Sequence, residues 1–416
     1  MSLEASDIAV VGGGSAGLLA ALSAKENGAD VLVLESKETI GHHEHCAGLL
    51  SIDGLKKLQL QSLPSNVIQN KKIIGAHLYS PSGALVTVTK NSETACVVDR
   101  VKFNQHLSLL AEEKGVNIQT SSKAVGLTKN ANSIILQLGK KSSLNKISSR
   151  IVILAEGRFP RLNKQIGLPF PSRDRIIYAS MFKMTNIKDI DSRYVELYQA
   201  KEYAPGFFSW IIPINEDTAK VGLGSSFSPS GKYLEKFIKK HPVAKDKLSN
   251  AKIEKRTSGA IPLSSSIRRT HTDNALVVGD AAGQTKPTTG GGVILGGIAA
   301  RIAGKIASKS IKENNTSAKF LSQYTKLWKK EMNKNLFVMK HVRYYLNSLK
   351  ERDIERIFHL IDTPKMNALF TNEGDVDNQK ELVYQILFNY RFWPFIFRTG
   401  FTYLIKKKRV KVETNL

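Results

Sequence analysis

The chain has 416 residues, 42% of them hydrophobic and 23% charged, with a formal net charge of +25. These values fit a folded protein of two to three domains and exclude a disordered one. Two cysteines exclude a disulfide framework, and the charge points to an anionic partner.

The first elements form a unit. Asp7–Val11 is a short apolar run that predicts a buried parallel strand. It opens without the basic segment and cleavage site of a signal peptide, and a cytoplasmic location is expected. Gly12-Gly-Gly-Ser15-Ala16-Gly17 follows, then a helix from Leu18 to Glu26, a turn at Asn27-Gly28, and a second strand Val31–Leu34 ending on Glu35. In this βαβ pattern Gly12 permits the tight turn. Gly14 lets a pyrophosphate approach the backbone, and Gly17 lets helix and strand pack closely. The helix N-terminus attracts the phosphates, and Glu35 can accept hydrogen bonds from a ribose. The acid favours FAD or NAD over NADP. The alternative is a Gly-rich turn with structural duty alone.

His42, His43, Glu44, His45 and Cys46 include metal-ligating types. Adjacent residues rarely converge on one ion, so no metal is expected. Gly75–Ser80 and Leu85–Thr89 flank a Pro81-Ser-Gly83 turn and read as a hairpin. Cys96 reads as a small buried residue on a strand, and Asp99-Arg100 leads into a helix reaching Ala111. Ser122-Lys-Ala124-Val-Gly-Leu127 reads as a strand. Arg150–Leu154 is another, followed by Ala155-Glu-Gly157.

Asn274–Gly279 predicts a further strand, ending on Asp280-Ala-Ala-Gly283. Gly290, Gly291 and Gly292 then open a helix at Val293 that runs through Ala303. A carboxylate at a strand end can bind a ribityl hydroxyl. A Gly cluster at a helix start offers N–H groups and a positive dipole end, which suits a flavin's N1–C2=O edge. A purely structural turn is the alternative. Residues 311–416 read as helical, for example from Phe320 to Tyr345. Residues 301–416 carry 23 lysines and arginines against 11 acids, about half the excess charge. At the end, Arg391–Phe397 and Phe401–Ile405 are aromatic and apolar, and Lys406, Lys407, Lys408, Arg409 and Lys411 follow. Rings beside a basic cluster fit the headgroup region of an anionic bilayer; packing on the protein body is the alternative. There is no run of about 18 apolar residues to span a bilayer, and no zinc-finger or RNP-type pattern for nucleic acid.

Gly12–Gly17, Asp99-Arg100 and Gly279-Asp280-Ala-Ala-Gly283 together resemble the glutathione-reductase-type flavoproteins of the aromatic-hydroxylase branch. The resemblance implies an α/β fold in which a Rossmann-like FAD domain (residues 1–60, 95–160 and 270–310) interleaves with an antiparallel-sheet substrate domain (61–94 and 161–269). A helical C-terminal region (311–416) completes the chain. It also implies that Arg100 serves the FAD and that the strand around Ala124 passes the adenine. Ala155-Glu-Gly157 would be the second crossing between domains. Within that branch the chain is similar to the geranylgeranyl reductases of archaeal lipids, over residues 5–310. Two segments carry this. His45-Cys46-Ala47-Gly48-Leu49 matches a Cys-Gly loop that the family places beside the flavin. Pro205–Pro213 matches a Pro-x-x-Tyr-x-Trp-x-Phe-Pro pattern, with Phe208 in place of Tyr and Ile212 in place of Phe. Both changes keep the wall apolar, and the first removes a hydroxyl.

The resemblance implies reduction of C=C bonds in geranylgeranyl chains of ether phospholipids or prenyl precursors, with hydride from reduced flavin N5. An unactivated alkene needs an apolar channel rather than a polar pocket. Phe207, Phe208, Trp210, Ile211 and Ile212 can line one, about half of them facing it because strand neighbours alternate. Cys46 is the candidate proton donor, with packing against the ring as its alternative. No second GxGxxG is present. Electrons are therefore expected from transiently bound NADPH or from an acidic ferredoxin-type protein, at the cytoplasmic face of the membrane. Two other readings stay open: a flavin monooxygenase on an apolar substrate, and a flavin electron carrier at a membrane surface.

Overall fold

The computed structural model describes residues 4–42, 46–171, 176–263, 266–374 and 377–399. Its centre is an eight-stranded sheet. Glu4–Val11 lies parallel between Val31–Leu34 and Lys146–Leu154. Asn117–Gln119 extends it beyond Val31–Leu34, and Ala275–Val277 pairs with Lys146–Leu154, so these five strands are parallel. His271–Thr272 adds an antiparallel edge, and Ala124–Lys129 with Ile134–Leu138 extends from Lys146–Leu154 as an antiparallel pair.

The uninterrupted apolar runs follow from this sheet being covered on both faces. Ile8, Val10, Val31, Val33, Ile151 and Ile153 point into a core shared with the helices Ser15–Glu26, Arg100–Glu113 and Val293–Lys312. Their neighbours Ala9, Val11, Leu32, Leu34, Val152 and Leu154 point the other way, against Leu127, Leu136 and Leu162. The predicted strand Asn274–Gly279 is shorter than expected, Ala275–Val277. Gly279 takes a positive φ of 67° and its N–H is claimed by the Gln284 side chain, so the chain turns there.

The second sheet has seven strands, in the order Lys252–Pro262, Ile176–Thr185, Ala219–Ser225, Ser209–Pro213, Tyr194–Tyr198, Gly75–Tyr79, Leu85–Thr89. All its pairings are antiparallel except Tyr194–Tyr198 with Gly75–Tyr79. A third sheet of Leu49–Ser51, Ala95–Val98 and Ile68–Ile73 lies between the two larger ones. Ala95 and Val97 face the seven-stranded sheet, whereas Cys96 and Val98 face the helices of the first. The long helix Ala318–Ser348 starts in the first core, through Leu321, Tyr324 and Trp328. It ends beside a C-terminal cluster, in which Ile354 and Phe358 pack with Val86 of the outer hairpin.

His241 ends the helix Ser230–Lys240 behind the second sheet. Its Nδ1 accepts from the N–H groups of Val243 and Ala244, both at 3.3 Å, and its ring stands edge-on to Tyr198. The side chain is fully buried, and burial pushes its pKa down to about 4. The unfolded chain, titrating near 6.5, therefore takes up this proton first. Stability is complete above pH 6.5 and falls as pH drops toward 4, by about 2 kcal/mol from this residue after allowing for screening. His241→Asn, which keeps an acceptor at the helix end, is expected to flatten that slope in denaturant titrations between pH 4 and 7. A slope equal to wild type would contradict the assignment.

Candidate active site

The glycine turn is built by steric exclusion. Gly12 has φ +112°, and a Cβ there would lie 2.4 Å from the Ala155 carbonyl oxygen. A Cβ on Gly17 would lie 1.8 Å from the Gly12 oxygen. Gly14 differs: nothing lies within 4 Å of its Cβ position, and it is exposed. The two glycines at the turn are demanded by protein atoms, and the middle one opens onto free space. The following helix Ser15–Glu26 has no side-chain cap and no acid in its first turn, so its N–H groups face that space.

Arg100 comes to the same place. Asp99 caps the helix Arg100–Glu113 by accepting from Val101 N–H at 2.9 Å and Lys102 N–H at 3.1 Å. This fixes Arg100 with its Nη2 3.5 Å from Ser15 Oγ. Its Nη1 is buried and has no hydrogen-bond partner. A buried guanidinium N–H left unpaired beside an uncapped helix start is a cradle for an anionic group. Glu35 is held from below: its Oε2 accepts from Gly13 N–H at 2.7 Å and its Oε1 from Lys37 N–H at 2.9 Å. A carboxylate has about four acceptor positions, so capacity for hydroxyls remains. Ser122 N–H donates to the Glu35 carbonyl at 2.7 Å, which brings the start of Ala124–Lys129 to this strand end; Ala124 packs against the core on that face of the sheet.

The second glycine cluster meets the first. A Cβ on Gly279 would lie 2.8 Å from Ala16 Cβ, and one on Gly292 would lie 2.8 Å from Asp280 Oδ1. Asp280 accepts from Thr285 Oγ at 2.9 Å. Burial pushes its carboxyl above the usual range, opposed by that hydrogen bond and by the Arg100 and Arg158 charges. The helix Val293–Lys312 also starts without a side-chain cap or an acid, after Gly291 and Gly292. Thr288 Oγ and Thr289 Oγ in the preceding turn are buried without partners. Gly279 N–H, Gln284, Tyr324 OH and the Val277 carbonyl form a buried hydrogen-bonded chain that supports the turn. Sequence reasoning missed that chain. It also missed Lys286, whose Nζ lies 2.6 Å from Asp377 Oδ1 in a buried pair that Ser51 joins. A lysine inside a Gly-Thr turn was its only local signal.

The aromatic segment stands on the other side. Gly290 reaches it: a Cβ there would lie 3.5 Å from Phe207 Cζ. Phe207 and Phe208 stack at 4.3 Å, Phe208 meets Trp210 edge-on at 5.9 Å, and Arg343 of the long helix covers Phe207 at 4.4 Å. Alternation holds within the strand Ser209–Pro213, whereas Phe207, which precedes it, shares the cluster of Phe208, so four of the five residues lie on one side rather than about half. Phe208, Trp210 and Ile212 face the third sheet, while Ile211 faces the opposite core. The expected open channel is not what these side chains form: Phe208 is 9% exposed and Trp210 7%, packed with Val97 and Met181. The reason is that the small sheet closes over this face. Trp210 Nε1 is buried without a partner.

Cys46 is exposed, and its sulfur accepts from Gly48 N–H at 3.4 Å. Gly48 must be glycine, since φ is +77° and a Cβ would lie 2.2 Å from the Val98 oxygen; this ties the loop to the strand Ala95–Val98, which leads into Asp99. Cys96 is buried, and burial pushes its thiol up to about 11. His43, Glu44 and His45 lie outside the described residues. Among the described residues no group of three or more His, Cys, Asp or Glu side chains is placed to hold a metal ion.

Gly12–Gly17, Glu35, Arg100, Asp280 and Gly291–Val293 thus meet around one cleft between two uncapped helix starts, with the aromatic segment at its end. The chain matches the FAD binding domain family over residues 5–325. It is 36% identical over 355 residues to the digeranylgeranylglycerophospholipid reductase of Methanocaldococcus jannaschii, covering 84% of this chain and 86% of that protein. The enzyme of the same name from Methanococcus vannielii is 31% identical over 358 residues, covering 84% and 87%. A solved structure from Thermoplasma acidophilum, a geranylgeranyl bacteriochlorophyll reductase-like protein, superimposes with a TM-score of 0.81 at 25% identity, covering 92% of this chain and 99% of that one. The chain belongs to the FAD-binding-domain flavoproteins, in the family of the digeranylgeranylglycerophospholipid reductases.

Proposed function

We propose that this protein is an FAD-dependent reductase that saturates C=C bonds of geranylgeranyl chains in ether phospholipids or their precursors. The observation that carries it is the apolar aromatic segment that meets the second glycine turn through Phe207, in a chain related over most of its length to reductases of that name. Bound in the cleft, FAD supplies the hydride. The chain's own residues do the rest. Gly14, Ser15 and Ala16 present N–H groups, and Arg100 its unpaired Nη1, to the pyrophosphate. Glu35 accepts from the ribose, Ala124 borders the adenine, and Asp280 accepts from a ribityl hydroxyl. Gly291, Gly292 and Val293 direct a helix N-terminus at the flavin's pyrimidine edge, and Cys46 and Ala47 border its ring. Trp210 and Phe208, packed beneath the third sheet, exclude water from that end. Cys46, the accessible thiol of its loop, delivers the proton.

Asp280→Ala removes a carboxylate hydrogen bond worth about 1.5–3 kcal/mol. It is expected to weaken FAD retention ten- to a hundred-fold in an equilibrium titration, and undiminished affinity would contradict the assignment. The reaction itself is tested by adding a geranylgeranyl phospholipid to reduced protein without oxygen. The yellow absorbance of oxidised flavin should return. Return only on admitting air would favour an oxygenase instead.

A peripheral membrane contact belongs to the same proposal. Among the described residues no helix is long and apolar enough to cross a membrane. Yet Phe388, Tyr390 and Phe397 are 82%, 71% and 74% exposed, with Arg391 next to Tyr390 and Arg398 next to Phe397. Phe401–Lys411 lies outside the described residues. Rings left in water next to arginines fit a headgroup layer. Phe388→Ser with Phe397→Ser is expected to lower binding to anionic phosphatidylglycerol vesicles at least tenfold in co-sedimentation. Equal binding would sink this surface as the contact. The electron donor in this reading is NADPH or an acidic ferredoxin-type protein, and the +25 charge favours the acidic one.

A further inference from the structure

The strand register puts three lysines side by side. Lys183 pairs directly with Lys220 on one neighbouring strand and with Lys255 on the other. The adjacent row on the same face, two residues along, is Trp210, Gly222, Met181 and Thr257. One sheet face therefore changes within about 7 Å from an aromatic surface to a line of ammonium groups. Like charges directly opposite one another destabilise a sheet unless something offsets them.

A cavity of about 170 Å³ lies over this line, bounded by the three lysines, Thr257, Gln69 and Asp99, with Met181 on the aromatic side. Two acids stand at it, and each has a partner. Asp99 caps the Arg100 helix, and Glu254 pairs with Lys183 at 2.7 Å at its edge. Lys220 forms the floor: it is 2% exposed and donates to the Val98 carbonyl at 3.2 Å. Lys255 is exposed and forms the mouth. Gln69 Oε1 is buried without a hydrogen-bond partner, and turning the amide over would offer N–H donors instead. At ~30 Å³ per water, the space holds a phosphoryl group with a water or two.

We propose that this cavity is a phosphate-ester site. Lys220 and Lys255 neutralise the anion together with Lys183, whose ion pair with Glu254 is solvent-exposed and exchangeable, the turned Gln69 amide donates to its oxygens, and the first atoms of an attached apolar group rest against Met181. The phosphate can come from the lipid head, which rests on the reductase reading, or from a nicotinamide dinucleotide donor; the site itself rests on neither.

The test uses the full-length, FAD-loaded protein. Inorganic phosphate is titrated calorimetrically into wild type and into Lys183→Gln/Lys255→Gln, with chloride at matched ionic strength as the blank. The expected result is at least tenfold weaker phosphate binding in the variant. If that variant does not fold, Lys255→Gln alone, at an exposed position, is used. Two kinetic arms then find the source. With dithionite as reductant, a lipid source predicts that the variant's KM rises at least tenfold more for a phosphorylated geranylgeranyl lipid than for its neutral alcohol. A dinucleotide source predicts slower NADPH-driven flavin reduction with dithionite-driven turnover unaltered. Lysine-dependent phosphate binding in a protein that reduces no lipid would leave the site standing and remove the reductase reading. Phosphate binding equal in wild type and folded variant would overturn the site.

Discussion

Gly17→Ala is expected to yield little soluble protein, and what is soluble should carry no flavin. The added methyl would lie 1.8 Å from the Gly12 oxygen, far inside contact distance. Neither partner can give way. Gly12 N–H donates to Leu34 at 2.8 Å, and its own Cβ position runs into Ala155. The helix behind Gly17 is pressed on Val293–Lys312 through fully buried residues such as Leu19 and Ala20. Overpacking against a fixed backbone should cost more than about 3 kcal/mol. Gly14→Ala is the matched contrast. Its φ of −77° suits alanine and its Cβ meets no protein atom. That protein should melt like wild-type apoprotein and still bind FAD at least tenfold more weakly, because the methyl enters the space assigned to the pyrophosphate. Thermal melts and flavin titration of the two variants read both effects. Equal flavin affinity in Gly14→Ala and wild type would move the pyrophosphate elsewhere.

Arg100→Ala is expected to weaken FAD binding ten- to a hundred-fold with little loss of apoprotein stability. A charge-assisted hydrogen bond is worth about 1.5–3 kcal/mol. Among the described residues the guanidinium has a 3.5 Å contact to Ser15, a stacking contact to Phe103 at 5.0 Å and a through-space attraction to Asp280, and its Nη1 is unpaired. Removing an unpaired buried donor from the apoprotein relieves a cost as well as losing contacts, so its melting temperature should change little. Arg100→Lys keeps the charge but loses the planar fork, and should recover only part of the affinity. A large fall in apoprotein stability would make Arg100 structural instead.

The glycine turn and the helix cap before Arg100 were legible in the sequence because their parts are local. Gly12, Gly14 and Gly17 act through backbone geometry within one turn, and Asp99-Arg100 is a helix cap followed by the residue it orients. The alternation of Trp210 and Ile212 against Ile211 was legible for the same reason, since it needs only a strand period, whereas Phe207 and Phe208 precede the strand and fall on one side. The lysine row was not. Lys183, Lys220 and Lys255 sit far apart in the chain, and only the pairing register makes them neighbours. The Lys286–Asp377 pair likewise joins a glycine turn to a C-terminal segment with no periodic signal linking the two. The closing of the aromatic face by Ala95 and Val97 also depends on how three sheets stack, which composition does not encode.

The most direct test of the reductase reading is product mass. Chemically reduced, FAD-loaded protein is incubated without oxygen with a digeranylgeranyl glycerophospholipid, beside an enzyme-free control, and the lipid is analysed by mass spectrometry. The prediction is a gain of about two mass units for each double bond saturated. A lipid of unchanged mass over flavin that stays reduced, with oxygen added to the lipid once air is admitted, would contradict it.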